Sequence, residues 1–146
     1  MPLLSCSDIS LELGGRSILE SVSLDVEQAE VVGLAGPNGA GKTSLFEVLS
    51  GRQLRHGGDV LLAGESIRSL DMRRRVERGL VRSYQRPIVP AALTVGETLS
   101  AARKAYRPKP SRLKVEWAAE FVRLRAPMDK PNASLETLEQ IGRAHV

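Results

Sequence analysis

The sequence predicts an α/β domain: a buried strand running through a glycine loop into a helix, an antiparallel strand layer, and a helical segment towards the C-terminal end. Three observations predict it. Val31-Val32-Gly33-Leu34-Ala35 is a short apolar run of buried-strand type. The eight residues Gly36-Pro37-Asn38-Gly39-Ala40-Gly41-Lys42-Thr43 follow directly, with two glycines five apart and the second followed by lysine and a hydroxyl residue. Ser44 to Leu49 then reads as a helix closed by Gly51.

That order is what polyphosphate chemistry requires. Backbone N–H groups converging at a helix N-terminus offer donors together with the positive end of the helix dipole. Gly36, Gly39 and Gly41 permit the tight turn and a close backbone approach to the phosphates, and Pro37 stiffens the entry, with Asn38 and Ala40 completing the loop. Lys42 is placed to reach the β and γ phosphates, and the Thr43 hydroxyl to ligate Mg²⁺, with Ser44 a further candidate for a phosphate contact. The alternative is a glycine-rich turn that merely joins a strand to a helix. The full pattern between the elements it needs favours the phosphate loop, but leaves the base and the use of the energy open.

The antiparallel layer is expected from residues 8–26, where Ile9-Ser10-Leu11-Glu12-Leu13 and Val22-Ser23-Leu24-Asp25-Val26 flank a Gly14-Gly15 turn. Asp59-Val60-Leu61-Leu62-Ala63-Gly64 adds a third strand. Residues 71–79 read as a helix and Leu80 to Tyr84 as the next strand, ending at Gln85. Pro87 and Pro90 mark an irregular loop. Thr94-Val95-Gly96-Glu97 has the capping-box pattern and starts a helix to about Tyr106, which Pro108 and Pro110 end. Residues 111–125 form a second amphipathic helix with Val115, Ala118, Phe121, Val122 and Leu124 on its buried side and Trp117 as a packing residue.

Composition narrows the function class. The chain has 146 residues, 42% hydrophobic, enough for one core. Its 21 basic and 17 acidic residues give a net charge of +4. The basic residues run from Arg73-Arg74-Arg75 through Arg78, Arg82 and Arg86 and on past Arg103, and are expected on a solvated face. With one Trp, two Tyr and two Phe, the aromatic interleaving of a nucleic-acid surface is missing, and no nucleic-acid partner is expected. Cys6 is the single cysteine, so neither an internal disulfide nor a cysteine-rich metal site is available. No apolar run approaches the about 18 residues of a membrane span, nor does the start resemble a signal peptide. A cytoplasmic location is expected. His56, before Gly57-Gly58, reads as a solvated turn residue.

With these pieces in order the chain resembles the ATP-binding subunits of ABC transporters, most closely those of the branched-chain amino-acid uptake type. The likeness runs from Val22 to Val26 through Val32-Gly33-Leu34, the phosphate loop and Leu45-Phe46, then through Gly58 to Gly64, Arg82-Ser83-Tyr84-Gln85-Arg86-Pro87 and Leu93 to Glu97. It covers about residues 8–106, with the later helix compatible.

The resemblance implies a P-loop NTPase core of the ABC ATPase type, with an antiparallel β layer and the start of an α-helical subdomain. It implies ATP and Mg²⁺ as ligands, Lys42 and Gln85 as catalytic residues, and Gln85 with Thr43 at the metal. A glutamine amide can accept from water and present its oxygen to Mg²⁺ without carrying charge; the alternative for Gln85 is a plain surface residue at a strand end. Residues 86–93 would face the coupling helix of a membrane subunit. The expected partners are a second ATP-binding subunit and transmembrane permease subunits, at the inner face of the cell membrane. A soluble member of the same superfamily acting in DNA repair or translation, or a binding-only fragment, is the alternative.

The sequence departs from the family's pattern in two places. The aromatic residue that stacks adenine is replaced at about Leu13, leaving apolar contact from Leu13 and Ile18. Leu135-Glu136-Thr137-Leu138-Glu139-Gln140 lies where the glycine-rich signature belongs, with Thr137 and Leu138 in place of glycines. It reads as a helix start. The later strand with its aspartate and catalytic glutamate, and the switch histidine, are not reached. Residues 1–140 are therefore expected to be a truncated ATP-binding domain, 1–93 its core with the phosphate and glutamine loops and 94–140 the start of the helical subdomain. Residues 141–146, which end in His145-Val146, are expected to be a non-native tail encoded by sequencing adapter, and nucleotide binding without turnover is expected of this chain.

Overall fold

The computed structural model describes residues 1–84, 89–106 and 108–135. They fall in two compact units, Met1–Arg75 and Val76–Val146.

The first unit holds β1 (Leu4–Leu13), β2 (Arg16–Val26), α1 (Lys42–Leu49), β3 (Gly57–Leu62) and β4 (Glu65–Ser66), followed by the start of α2 (Met72–Glu77). The strands form one sheet in the order β2-β1-β3-β4, every neighbouring pair antiparallel. Gly14 and Gly15 close the first hairpin at φ +59° and +76°, the paired positive dihedrals of a two-residue turn whose twist matches the strands. Ladder register shifts between Cys6 and Ile9. There Asp8 takes φ +53° and accepts from the Ser21 hydroxyl at 2.7 Å. This bulge keeps Cys6, Ile9 and Leu11 all buried where strict alternation would turn one outwards. α1 buries Leu45, Val48 and Leu49, the i, i+3, i+4 stripe of a helix with one apolar face. With Cys6, Ile9, Leu11, Leu19, Val60 and Ile67 they supply the buried apolar side chains of this unit.

Two expected strands are absent. Residues 31–37 form no strand, and Val31 is 96% exposed. A strand of the buried, parallel kind takes its hydrogen bonds from neighbours on both sides, brought in from distant sequence. Among the described residues no strand pairs with this run, so its apolar side chains stay open. Residues 80–84 are likewise without ladder pairing.

The second unit holds α3 (Val95–Ala105), α4 (Arg112–Phe121) and a 3₁₀ turn at Asn132–Ser134. Thr94 and Glu97 make the capping box in full, the hydroxyl accepting from Glu97 N at 3.2 Å and the carboxylate from Thr94 N at 2.8 Å. Val95, Ala126 and Leu135 form a small core with Leu99 and Leu124 against it. Asn132 ties the segment together: its Nδ2 donates to Pro90 O at 2.9 Å and to Thr98 Oγ1 at 2.7 Å. Ser111 caps α4, and Ala119 is its buried residue. Phe121, expected on the buried side, is 73% exposed, with its ring stacked on Trp117 at 5.2 Å. The helix stops at Phe121, so the later apolar residues approach the core from a turn, not from the helical face.

Candidate functional site

The site is built on the first turn of α1. Gly41 is its N-cap at φ +82°, with no side-chain cap, and its first turn carries no acidic residue. The positive end of the helix therefore meets solvent without a carboxylate to neutralise it. Gly41 has a second reason to be glycine. A Cβ there would stand 2.8 Å from the Ile18 carbonyl oxygen and 2.8 Å from Leu19 Cδ2, so β2 backs the end of the loop directly. Residues 36–40 are exposed, and the Ala40 N–H donates to Pro37 O at 3.3 Å.

Lys42 folds over this loop. Its Nζ donates to Gly36 O at 2.6 Å and Pro37 O at 2.7 Å, which puts the ammonium across the mouth of the turn. Thr43 is exposed and Ser44 half-buried on the same first turn. A bare helix start, a lysine above it and a hydroxyl beside it fit an anionic polyphosphate and a hard cation that takes oxygen ligands. Lys42, Thr43, Ser44 and the loop glycines are thus brought together, with Ile18 at their back. Leu13 is 45% exposed at the end of β1, opposite Arg16 in the ladder. Gln85 lies outside the described residues, as does the Glu136–Gln140 segment. Among the described residues no cluster of His, Cys, Asp or Glu is suited to hold a metal by itself.

Two residues differ from their sequence expectations. His56 is buried, not solvated: its Nδ1 lies 2.8 Å from Gly57 O, while Nε2 has no partner among the described residues. The strand that begins at Gly57 pairs with Ser10 and carries the imidazole under cover of the sheet. Arg75 lies in the arginine run yet is fully buried. Its Nη1 donates to Val48 O at 2.9 Å and Leu49 O at 2.7 Å, its Nε to Leu70 O at 2.8 Å, and its Nη2 to Arg68 O at 3.3 Å. Burial pushes its pKa below the ordinary guanidinium value. Nothing in the run separates Arg75 from Arg73 or Arg74, because its environment comes from α1, far back in the chain.

Comparison with known proteins covers the stretch that includes this loop. The profile of the ABC transporter family matches residues 19–141. The branched-chain amino acid transport ATP-binding protein BraF of Pseudomonas aeruginosa is 36% identical over 102 residues, which is 70% of this chain and 40% of BraF. The lipopolysaccharide export system ATP-binding protein LptB of Haemophilus influenzae is 35% identical over 119 residues, 80% of this chain and 49% of LptB. The chain thus spans less than half the length of these curated relatives. Among solved structures, the ADP conformation of MJ1267, an ATP-binding cassette of an ABC transporter, superposes with a TM-score of 0.73 at 25% identity, covering 99% of this chain and 64% of that one.

Proposed function

Because the chain belongs to the ABC transporter family of ATP-binding proteins, we propose that its loop at Gly36 to Thr43 binds MgATP and that, in a full-length parent, this site powers an importer of branched-chain amino acids or related compounds. The observation that carries the nucleotide reading is the uncapped start of α1 beneath Lys42. Lys42 would exchange its two carbonyl acceptors for phosphate oxygens, so its ammonium holds hydrogen-bond acceptors throughout. The α1 N–H groups meet the charge that accumulates on the phosphates, at a helix end that holds no competing acid. Thr43 and Gln85 are the residues that would hold Mg²⁺, which when bound neutralises phosphate charge and orients the reacting oxygens. Leu13 and Ile18 would border the base.

The branched-chain amino-acid assignment rests on the names of BraF and of LivG of Escherichia coli, which is 35% identical over 102 residues. LptB, at similar identity, serves lipopolysaccharide export, so cargo and direction rest on partners more than on the nucleotide site. Those partners would be a second ATP-binding subunit and permease subunits at the inner membrane face. Calorimetric titration of MgATP into the chain tests the proposal. Saturable binding that Lys42→Ala weakens about tenfold or more supports it; heats identical in the two proteins would sink it.

A further inference from the structure

Arg75 is the only charged side chain among the described residues that is wholly buried, and no carboxylate among them pairs with it. Taking a cation out of water is costly unless its donors are all used. Here four of its five N–H donors go to backbone carbonyls, two of them at the far end of α1. A helix leaves its last carbonyls without intrahelical partners; here one nitrogen of a planar fork donates to Leu49 O and to Val48 O, the latter also accepting from the Gly51 N–H at 3.0 Å. The same fork reaches Leu70 O and Arg68 O, so it staples the end of α1 to the segment leading into α2. Gly51 is shaped for this fork. At φ +75° it turns the chain out of the helix, and a Cβ there would lie 2.7 Å from Arg75 Nε and 2.8 Å from Leu70 O.

α1 is therefore held at three points. Gly41 rests on Ile18 and Leu19 at the loop end, the Leu45, Val48 and Leu49 stripe fixes the sides, and Arg75 closes the far end. With eight residues the helix is roughly 12 Å long, short enough for a displaced last turn to move the first. We propose that Arg75 is a positioning residue for the phosphate loop, latching the far end of α1 so that its N-terminal donors stay aimed at the nucleotide. This rests on the MgATP reading of the loop. Lysine cannot replace it, since a point charge on a flexible stem does not span carbonyls set in several directions.

The test compares the full chain with Arg75→Lys, Arg75→Met and Lys42→Ala, each checked for folded content by circular dichroism, using MgATP titration and amide NMR. Arg75→Lys is expected to stay folded, bind MgATP about tenfold more weakly, and shift the Gly39, Gly41 and Lys42 amides at the opposite end of the helix. A folded lysine variant with wild-type affinity and unmoved loop amides overturns the proposal. If neither Arg75 variant folds, the wild type decides. Its Arg75 Nε–H resonance is expected to move when MgATP binds, and an unmoved resonance at saturation overturns the latch. Wild-type protein that binds no MgATP counts against the nucleotide reading, and the latch falls with it; MgATP binding that Lys42→Ala weakens but the Arg75 variants do not counts against the latch alone.

Discussion

Lys42 Nζ donates to the Gly36 carbonyl at 2.6 Å, closing the side chain back over the loop from which it springs. The ammonium keeps Gly36 O and Pro37 O satisfied while the helix start stands open. Lys42→Ala removes both bonds and the charge that would meet a phosphate. Since hydrogen bonds to charged groups contribute about 1.5–3 kcal/mol, MgATP affinity is expected to fall on the order of tenfold to a hundredfold. Fold stability should change far less, because the bonds lie in solvent. Calorimetry and thermal melting of one sample separate the two effects.

Gly39 and Gly41 predict a contrast within the loop. Both have positive φ, +86° and +82°, so alanine at either position costs roughly 1–2 kcal/mol of backbone strain. At Gly39 an added methyl meets nothing within 4 Å, whereas at Gly41 it strikes the Ile18 carbonyl and Leu19. Gly41→Ala should therefore lower stability by about 1–3 kcal/mol more than Gly39→Ala in urea unfolding. Equal losses would mean that β2 does not back the loop as described.

What could be read from the sequence was local. Gly14-Gly15 encodes its own turn, the Thr94 and Glu97 pair its own cap, and the loop at Gly36 to Thr43 leads into a helix whose apolar stripe lies within a single turn. What could not be read depended on remote partners. Val31 to Leu34 has the composition of a buried strand, but a strand exists only through the ladder beside it, and none is paired there among the described residues. Arg75 and His56 look like surface residues until α1 and β1, brought in from elsewhere in the chain, cover them. In the candidate site the donors are contiguous and were legible, while the latch behind them was not.

The capping box predicts a local stability effect in the second unit. Thr94 Oγ1 accepts from Glu97 N, and Thr94 also bridges to Pro131 through the backbone. Thr94→Ala leaves the bridge but strips the cap, at an expected cost of about 1 kcal/mol, and Thr94→Ser should restore most of it. Hydrogen exchange of the α3 amides is the suitable readout, since it reports opening of this helix without requiring the rest of the chain to unfold. Unchanged protection in the alanine variant would contradict the cap's contribution.

Cys6 predicts the sign of an alkaline effect. The thiol is 3% exposed within β1, and burial pushes its pKa above the ordinary thiol value. Below the unfolded-state pKa of about 8.5 the thiol is protonated in both states, and its favourable burial is fully present. As pH rises further the unfolded chain ionises while the buried thiol does not, so stability drains away until the folded pKa is passed. Cys6→Ala lowers stability at neutral pH through lost packing but removes this slope. The difference between wild type and variant should therefore shrink as pH rises above about 8.5, by up to about 1.4 kcal/mol per unit. Urea midpoints measured across that window, under reducing conditions, check it; a constant difference would mean that the thiol ionises as readily in the sheet as in the unfolded chain.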